Sequence, residues 1–535
     1  LLDILTEFHL AKKCDKGAEP QRSSEDKLTM TLIEKFIRCL LCCIFVLVFI
    51  SCTNLLIGGR IDLEERYVMD HSHESDLGQA KSGLDLQIQP VDEFLDSIGV
   101  CVHFSGRCEK PIRLMREAGI RHLRDEISWD WVEREKGRLK IPEEREAWID
   151  EARKQGINIL LILNYGNAIY PDDGIGNKEN PEYEFTDFLR YVEFVVSHFK
   201  GRIHQWEIWN EPNAFLMNRQ YGGDWRGGGW VDAYARLANK AARKIRALDP
   251  AAKIYTAGME APIADLVVPH LEAEFDGIAV HPYCHPLLPE YTYAGIERLR
   301  NTMKRCGKDL PLIVTEQGYP TIKGHFMWRH AANITLEDQA KFLLRVFCGN
   351  FARNIPRTYW YDLICDGSDP SEQEHNFGIL HADGETPRPA YLALKALTSA
   401  LSEQGDSEPA PADAVAGNEV HLTFYSPVSA PPRGILLARN STHYFLLLWK
   451  ESPAKDELEI NGTNTDARVF HDDGAPEPVT IGIPSFSAGR LEATVIDPLL
   501  GGDKGQWLTV YSDGLTNKIT VPIKEYPIII RMVFK

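Results

Sequence analysis

Between residues 98 and 401 the chain alternates eight times between a short β-rich run and a helical one. No other feature narrows the fold as much. Parallel strands joined by crossover helices close into a barrel at eight units. The runs read as strands are IGVCVHF (98–104), HLRDEISW (122–129), NILLILNYG (158–166), IHQWEIWNE (203–211), KIYTAG (253–258), FDGIAVHPY (275–283), LPLIVTEQG (310–318) and RTYWYDLI (357–364). They are largely apolar, as in sheets covered on both faces. The runs between them carry helical periodicity. In WVDAYARLANKAARKIRAL, Tyr234, Leu237, Ala241, Ile245 and Leu248 make one apolar stripe. The segment IADLVVPHLEAEF is read as helical throughout, and Gly119, Gly156 and Gly307 stand where helices should stop. The expectation is an α/β fold, a (β/α)8 TIM barrel over residues 93–401.

After residue 401 the helical period vanishes. Residues 402–419, SEQGDSEPAPADAVAGNE, read as a linker. The runs YFLLLWK, ARVFHD, LEATVIDP, QWLTVYSD, KITVPI and PIIIRMVF then read as strands between turns, predicting a β-sandwich over 420–535. A packing domain fixed to the barrel is the preferred reading of it, with a carbohydrate-binding module as the alternative. Residues 53–92 are polar and aperiodic and read as a leader or tether, in which His71 and His73 belong to a solvated linker.

The first methionine is Met30, and residues 1–29 read as translated upstream sequence. Lys35 and Arg38 precede an apolar run of eleven residues, Leu40 to Ile50, closed by Ser51-Cys52. Residues 1–52 therefore read as an upstream segment plus a secretory signal, too short for a membrane span. The small residue before Cys52 is similar to a bacterial lipoprotein cleavage site, which would acylate Cys52. An ordinary cleaved signal and an uncleaved anchor are the other readings. An exported, cell-envelope or secreted protein is expected, meeting a membrane only through such an N-terminal lipid anchor. The cysteines beyond Cys52 (Cys101, Cys108, Cys284, Cys306, Cys348 and Cys365) show no paired framework, Cys101 and Cys108 being the only close pair, and most of them read as buried small hydrophobes.

A net charge of −18 disfavours nucleic acid as a partner. The chain has no zinc-finger spacing, P-loop, GxGxxG or HExxH motif, so neither cofactor nor metal is implied. Barrel enzymes carry their chemistry where the strands end. Those ends offer Arg124 and Asp125, Asn164, Asn210-Glu211, His281-Pro282-Tyr283, Glu316, and Tyr359, Trp360 and Asp362. Two carboxylates on one rim suit glycosidic cleavage. One protonates the leaving oxygen, and the other attacks the anomeric carbon or activates water. The retaining route places them about 5–5.5 Å apart and the inverting route about 6.5–9.5 Å, and periodicity leaves both open. Glu207 should point into the barrel as a buried structural partner.

WEIWNEPN (206–213) resembles the fourth-strand signature of the clan A (β/α)8 retaining glycosidases, and VTEQGYP (314–320) resembles their seventh-strand element. His281-Pro282-Tyr283 is similar to the clan's sixth-strand His-x-Tyr. Within the clan the chain looks most like family 39 and its relatives, with family 5 next. Family 5 usually has a histidine near the third strand's end, where Asn164-Tyr165 stands here. The resemblance implies a carbohydrate substrate and a hydrolase with Glu211 as general acid/base and Glu316 as nucleophile. It further implies Arg124 and Tyr283 holding Glu316 ionised, Asn210 contacting the sugar 2-hydroxyl, and His281 tuning Glu211. Trp360 would stack on the sugar, and Asn164 would be a further substrate contact. Trp129, Tyr165, Tyr170, Trp225, Trp230, Tyr319 and Trp328 are candidates for outer sugar platforms. A transglycosylase and a catalytically silent carbohydrate-binding protein remain as alternatives.

Overall fold

The stretch LDLQIQ alternates apolar and polar residues, the period of a half-buried strand. In the computed structural model of the chain it lies in a strand, β1 (Ser82–Pro90). The structure describes residues 82–535, apart from 177–182, 215, 286, 322–333, 403–416, 426–431, 452–475, 488, 501–504 and 513. The expected leader over 53–92 is therefore corrected from Ser82 onward. Its remainder, the upstream segment, the apolar run 40–50 and Cys52 lie outside the described residues. Among the described residues no helix is long and apolar enough to cross a membrane.

Each of the eight expected runs forms a parallel strand. They are β2 (Ile98–Cys101), β3 (His122–Glu126), β4 (Asn158–Leu163), β5 (Gln205–Ile208), β6 (Lys253–Thr256), β7 (Ile278–Val280), β8 (Leu312–Gln317) and β9 (Thr358–Trp360). Their order is β6-β5-β4-β3-β2-β9-β8-β7, and a parallel bridge between Tyr255 and Gly277 joins the two ends into a ring. The ladder is shorter than the runs, because the polar residues that end each run leave it and pass over the rim.

Side-chain alternation sorts the strands. Cys101, Leu160, Ala279, Ile313 and Tyr359 form one small buried cluster, whereas Leu123, Leu161, Trp206, Ile208, Val280, Val314 and Trp360 belong to the large core shared with the helices. The helix Gly229–Leu248 buries Tyr234, Leu237, Ala241 and Ile245, as the stripe predicts. Gly119, Gly156 and Gly307 sit at φ of 69°, 74° and 67°, the left-handed turn that ends a helix without a Cβ clash. The expected helix from Ile263 to Phe275 is corrected. It ends at Val267 and passes into a single 3-10 turn, Val268–His270, because Pro269 lacks the N–H that would continue it.

The remaining strands are β10 (Glu419–Phe424), β11 (Pro432–Ala438), β12 (His443–Lys450), β13 (Glu477–Pro484), β14 (Leu491–Ile496), β15 (Gln506–Leu508), β16 (Tyr511–Ser512), β17 (Thr516–Ile523) and β18 (Ile528–Phe534). ARVFHD lies outside the described residues. The helix Pro389–Ser402 and β10 close in on the expected linker from both sides. The strands run β15-β14-β18-β12-β11-β1-β10-β13-β17-β16. Ser82 to Gln87 pair antiparallel with β10, and Ile88 to Pro90 pair parallel with β11, so β1 joins the two halves. Leu86, Leu422, Leu446, Ile481, Val521 and Ile530 come from both halves and share one core, as in a sandwich.

β12 is buried on both faces. Tyr444, Leu446 and Leu448 enter the sandwich core, and Phe445, Leu447 and Trp449 enter the barrel's core. Polar contacts reinforce this seam. Arg345 Nη1 donates to the Glu525 carbonyl at 2.6 Å, and Arg353 and Arg433 both pair with Glu451. Arg345 and Arg353 are held on the helix Leu336–Phe351. Thr335 and Asp338 form a capping box at its start, with the Asp338 N–H donating to Thr335 Oγ1 at 3.1 Å and the Thr335 N–H to Asp338 at 2.8 Å. Burying a side chain such as Leu447 contributes about 1.5–3 kcal/mol. A chain ending at Ser402 is therefore expected to be insoluble. A soluble, monomeric barrel by sedimentation would show that the sheet domain is dispensable.

Candidate active site

The rim of the barrel gathers most of the predicted residues into one hydrogen-bonded group. Arg124 is its centre, 3% exposed. Its Nε and Nη2 donate to the two oxygens of Glu207 at 2.7 and 2.9 Å, a bidentate fork. Nη1 donates to Glu316 Oε1 at 2.6 Å, and Nη2 also donates to Asn210 Oδ1 at 2.8 Å. Tyr283 Oη donates to the other oxygen of Glu316 at 2.9 Å. His281 is fully buried, with Nδ1 3.0 Å from Glu211 Oε1 and Nε2 3.0 Å from Thr315 Oγ1. Asn210 Nδ2 donates to Tyr165 Oη at 3.0 Å.

Backbone irregularities aim the two glutamates. Val314 pairs with Thr358 and Gln317 with Trp360, so β8 carries one more residue than β9 across this interval. Such a bulge re-aims a side chain. It lets both Thr315 and its neighbour Glu316 reach the rim. At the end of β5, Trp209 and Glu211 have φ of 73° and 42°. Each left-handed non-glycine residue costs roughly 1–3 kcal/mol and persists only where its surroundings enforce it. Here the Trp209 N–H donates to the Leu163 carbonyl and that of Glu211 to the Gly258 carbonyl. Gly258 is itself required, since a Cβ there would lie 2.0 Å from His281 Nε2.

The two carboxylates have different surroundings. The Glu316 side chain is 13% exposed and that of Glu211 is 30% exposed. Burial opposes ionisation of Glu316, but His281, Arg124 and the hydrogen bonds from Arg124 and Tyr283 outweigh it and hold the carboxyl below the usual range. Burial, then the charge of Glu316, pushes the Tyr283 phenol well up, so it stays a donor. Thr315 Oγ1 makes a long contact to Glu207 Oε1 at 3.4 Å. With its proton directed there, Thr315 accepts from His281 Nε2, leaving Nδ1 to share a proton with Glu211. One atom each of Glu211, His281 and Glu316 lie within 4.8 Å of one another, a set that could also hold a metal ion.

Glu207 is fully buried and serves Arg124 and the Gly258 N–H, the structural role expected of it. Two expectations are corrected. Trp360 is fully buried, stacks against Tyr319 and faces the helices, so it cannot floor an open site. Tyr359 points into the barrel, and strand alternation brings Tyr361, not Trp360, to the rim. Tyr361 Oη donates to Glu374 Oε2 at 3.0 Å and lies 3.3 Å from His103 Nε2. Counting alternation outward from Tyr359 would have found it. Asn164 is also fully buried, accepting from Ser128 at 3.2 Å and donating to Glu126 at 2.6 Å, so it supports Glu126 and has no face toward a sugar. Asp125 turns outward and accepts from the Phe104 N–H at 3.0 Å. Of the loop aromatics, Trp129, Tyr170, Trp230 and Tyr319 are buried, Tyr165 reaches the site through Asn210, Trp225 stays 40% exposed, and Trp328 lies outside the described residues.

No protein-family profile matches the chain. Among solved structures, the family 39 glycoside hydrolase from Bacteroides cellulosilyticus WH2 is 19% identical, with a TM-score of 0.54, covering 84% of this chain and 83% of that one. A glucosidase from Croceicoccus marinus is 15% identical, with a TM-score of 0.50, covering 84% and 97%. A curated relative, the beta-glucosidase-like protein SFR2, chloroplastic, of Oryza sativa subsp. japonica, is 27% identical over 125 residues, 22% of this chain. The match spans 19% of that protein's length. Both structural likenesses extend over barrel and sheet domain together. The chain shares the fold of these two solved structures, a (β/α)8 barrel with a β-sandwich domain.

Proposed function

We propose that the chain is a retaining glycoside hydrolase acting on β-glycosides of oligo- or polysaccharides. The observation that carries this reading is the approach of Glu211 and Glu316, with carboxylate atoms within 4.8 Å. The retaining route asks for carboxyl groups about 5–5.5 Å apart, and the close approach of one oxygen from each supports it. Glu316, ionised and held at both oxygens, attacks the anomeric carbon as the bond to the leaving oxygen breaks. Glu211, more open and sharing a proton with His281, protonates that oxygen. The glycosyl ester on Glu316 is then cleaved by a water whose proton Glu211 takes. Asn210 faces the sugar 2-hydroxyl, and Tyr361 supplies the aromatic wall that Trp360 cannot. Transfer to an acceptor sugar would use the same residues and differ only in the product. Export, with lipidation at Cys52, belongs to the proposal as well.

The test is a panel of aryl β-glycosides and polysaccharides, with the product anomer read by proton NMR before mutarotation. A first-formed product of retained configuration is expected, and inversion would overturn the mechanism. Glu211→Ala is expected to lose about 10²–10⁴-fold in kcat/KM on substrates with poor leaving groups, the usual contribution of a general acid. It should lose far less on dinitrophenyl glycosides, whose leaving group needs no proton. A uniform loss across leaving groups would remove Glu211 from that role.

A further inference from the structure

A second group of ligand-bearing side chains lies on the same rim, outside the catalytic group. His103 follows β2 and Asp362 follows β9, and these two strands pair, so their ends meet. Asp366 comes from the loop after β9. One ligating atom each from His103, Asp362 and Asp366 lie within 4.8 Å of one another. We propose that His103, Asp362 and Asp366 form a binding site for a divalent metal ion of the zinc or manganese type.

The buried member has the surroundings of a cation ligand. Asp362 is 1% exposed, and its Oδ1 has no hydrogen-bond partner among the described residues. A buried carboxylate oxygen without a donor is costly, and a buried charge is normally paired or bound to metal. The surroundings make matters worse. Asp366 brings a second carboxylate, with a ligating oxygen within 4.8 Å of that of Asp362. Arg388 offsets this only at a distance, since its hydrogen bonds go to the Asn376 and Gly378 carbonyls and Thr321. A cation between Asp362 and Asp366 would relieve both the repulsion and the orphaned oxygen.

His103 is prepared for such a role. Tyr361 directs its one hydroxyl proton to Glu374, so the Nε2 contact from His103 to Tyr361 is a donated one. The proton on Nε2 leaves Nδ1 with its lone pair. Metal-binding histidines characteristically donate their other ring N–H to such an outer partner. One imidazole and two carboxylates suit zinc or manganese better than calcium or magnesium, which prefer all-oxygen shells, and they leave coordination positions for water.

The full chain, stripped with chelator, would be titrated with zinc chloride and with manganese chloride by calorimetry. One equivalent of at least one ion is expected per chain. Its affinity should fall at least about ten-fold in Asp366→Asn and in His103→Gln. Both side chains are exposed, so the variants should fold. Glu316→Gln should bind as the parent does. No saturable binding of either ion, binding unchanged in both rim variants, or binding lost in Glu316→Gln would overturn the site. The last result would place the ion on Glu211, His281 and Glu316. An anomalous difference peak from zinc-soaked parent crystals gives a readout independent of variants: a peak among His103, Asp362 and Asp366 supports the proposal, and a sole peak elsewhere ends it.

Discussion

Glu316→Ala is expected to lower kcat/KM on an aryl β-glycoside by about 10⁴-fold or more, the scale on which loss of a covalent nucleophile is felt. Each tenfold corresponds to about 1.36 kcal/mol of barrier, so the substitution removes roughly 5 kcal/mol or more of transition-state stabilisation. The loss is chemical rather than structural. Arg124 keeps its fork on Glu207, and Tyr283 loses only one partner. Added azide fits the space left by the carboxylate and should restore turnover, yielding a glycosyl azide of inverted configuration. Rescue that gives a retained azide, or a variant with near-parental activity, would remove Glu316 from the nucleophile's place. The same residue sets an acid limit. Its folded-state pKa is depressed below the unfolded value. The ionised form, and the stability linked to it, are therefore complete at neutral pH and lost as pH falls through the folded value. The acid limb of kcat/KM is expected below about pH 4.3, the ordinary glutamate value.

Arg124→Met is expected to destabilise the protein by about 3–5 kcal/mol, because it leaves buried negative charge without its counter-ion. Glu207 is fully buried and Glu316 nearly so, and Arg124 answers both. Lysine should not restore the loss, as a single ammonium cannot fork to Glu207 while also reaching Glu316 and Asn210. The double variant Arg124→Met, Glu207→Gln should recover part of it by removing the stranded charge. Urea denaturation of the three proteins measures this directly. A cost below about 1 kcal/mol for Arg124→Met, the range of an exposed ion pair, would show that the network is solvent-screened.

The rim residues were legible wherever a polar residue ended an apolar run. Arg124, Asn210, Glu211, His281, Tyr283 and Glu316 all come together in the site. What sequence reading missed lies in backbone detail. The bulge in β8 leaves no mark in VTEQG, yet without it Thr315 and Glu316 would face opposite ways. Trp360 invited a sugar-stacking role by its type, and one step of alternation turns it into the helical layer. Asn164 ends its run as expected but lies a level too deep, bonded to Ser128 and Glu126. In β1, three apolar residues at period two sit in a polar stretch. Its partners, Leu422 and Val420, lie far down the chain, where no local pattern announces them.

That placement of β1 bears on how the protein is made. The strand leaves the ribosome before any of the barrel, yet its neighbours on both sides, β10 and β11, are synthesised roughly 330 residues later. At about 5–20 residues per second the interval is on the order of 15 to 70 seconds. Throughout it, Leu84, Leu86 and Ile88 stand on a segment with two open edges, the form most prone to pairing with another chain. The barrel can assemble during this wait. The sheet domain cannot, because its middle strand precedes the barrel in the chain and both flanking strands follow it. The sheet domain is thus completed only after the barrel has been made, and until β10 and β11 arrive β1 has no native partner.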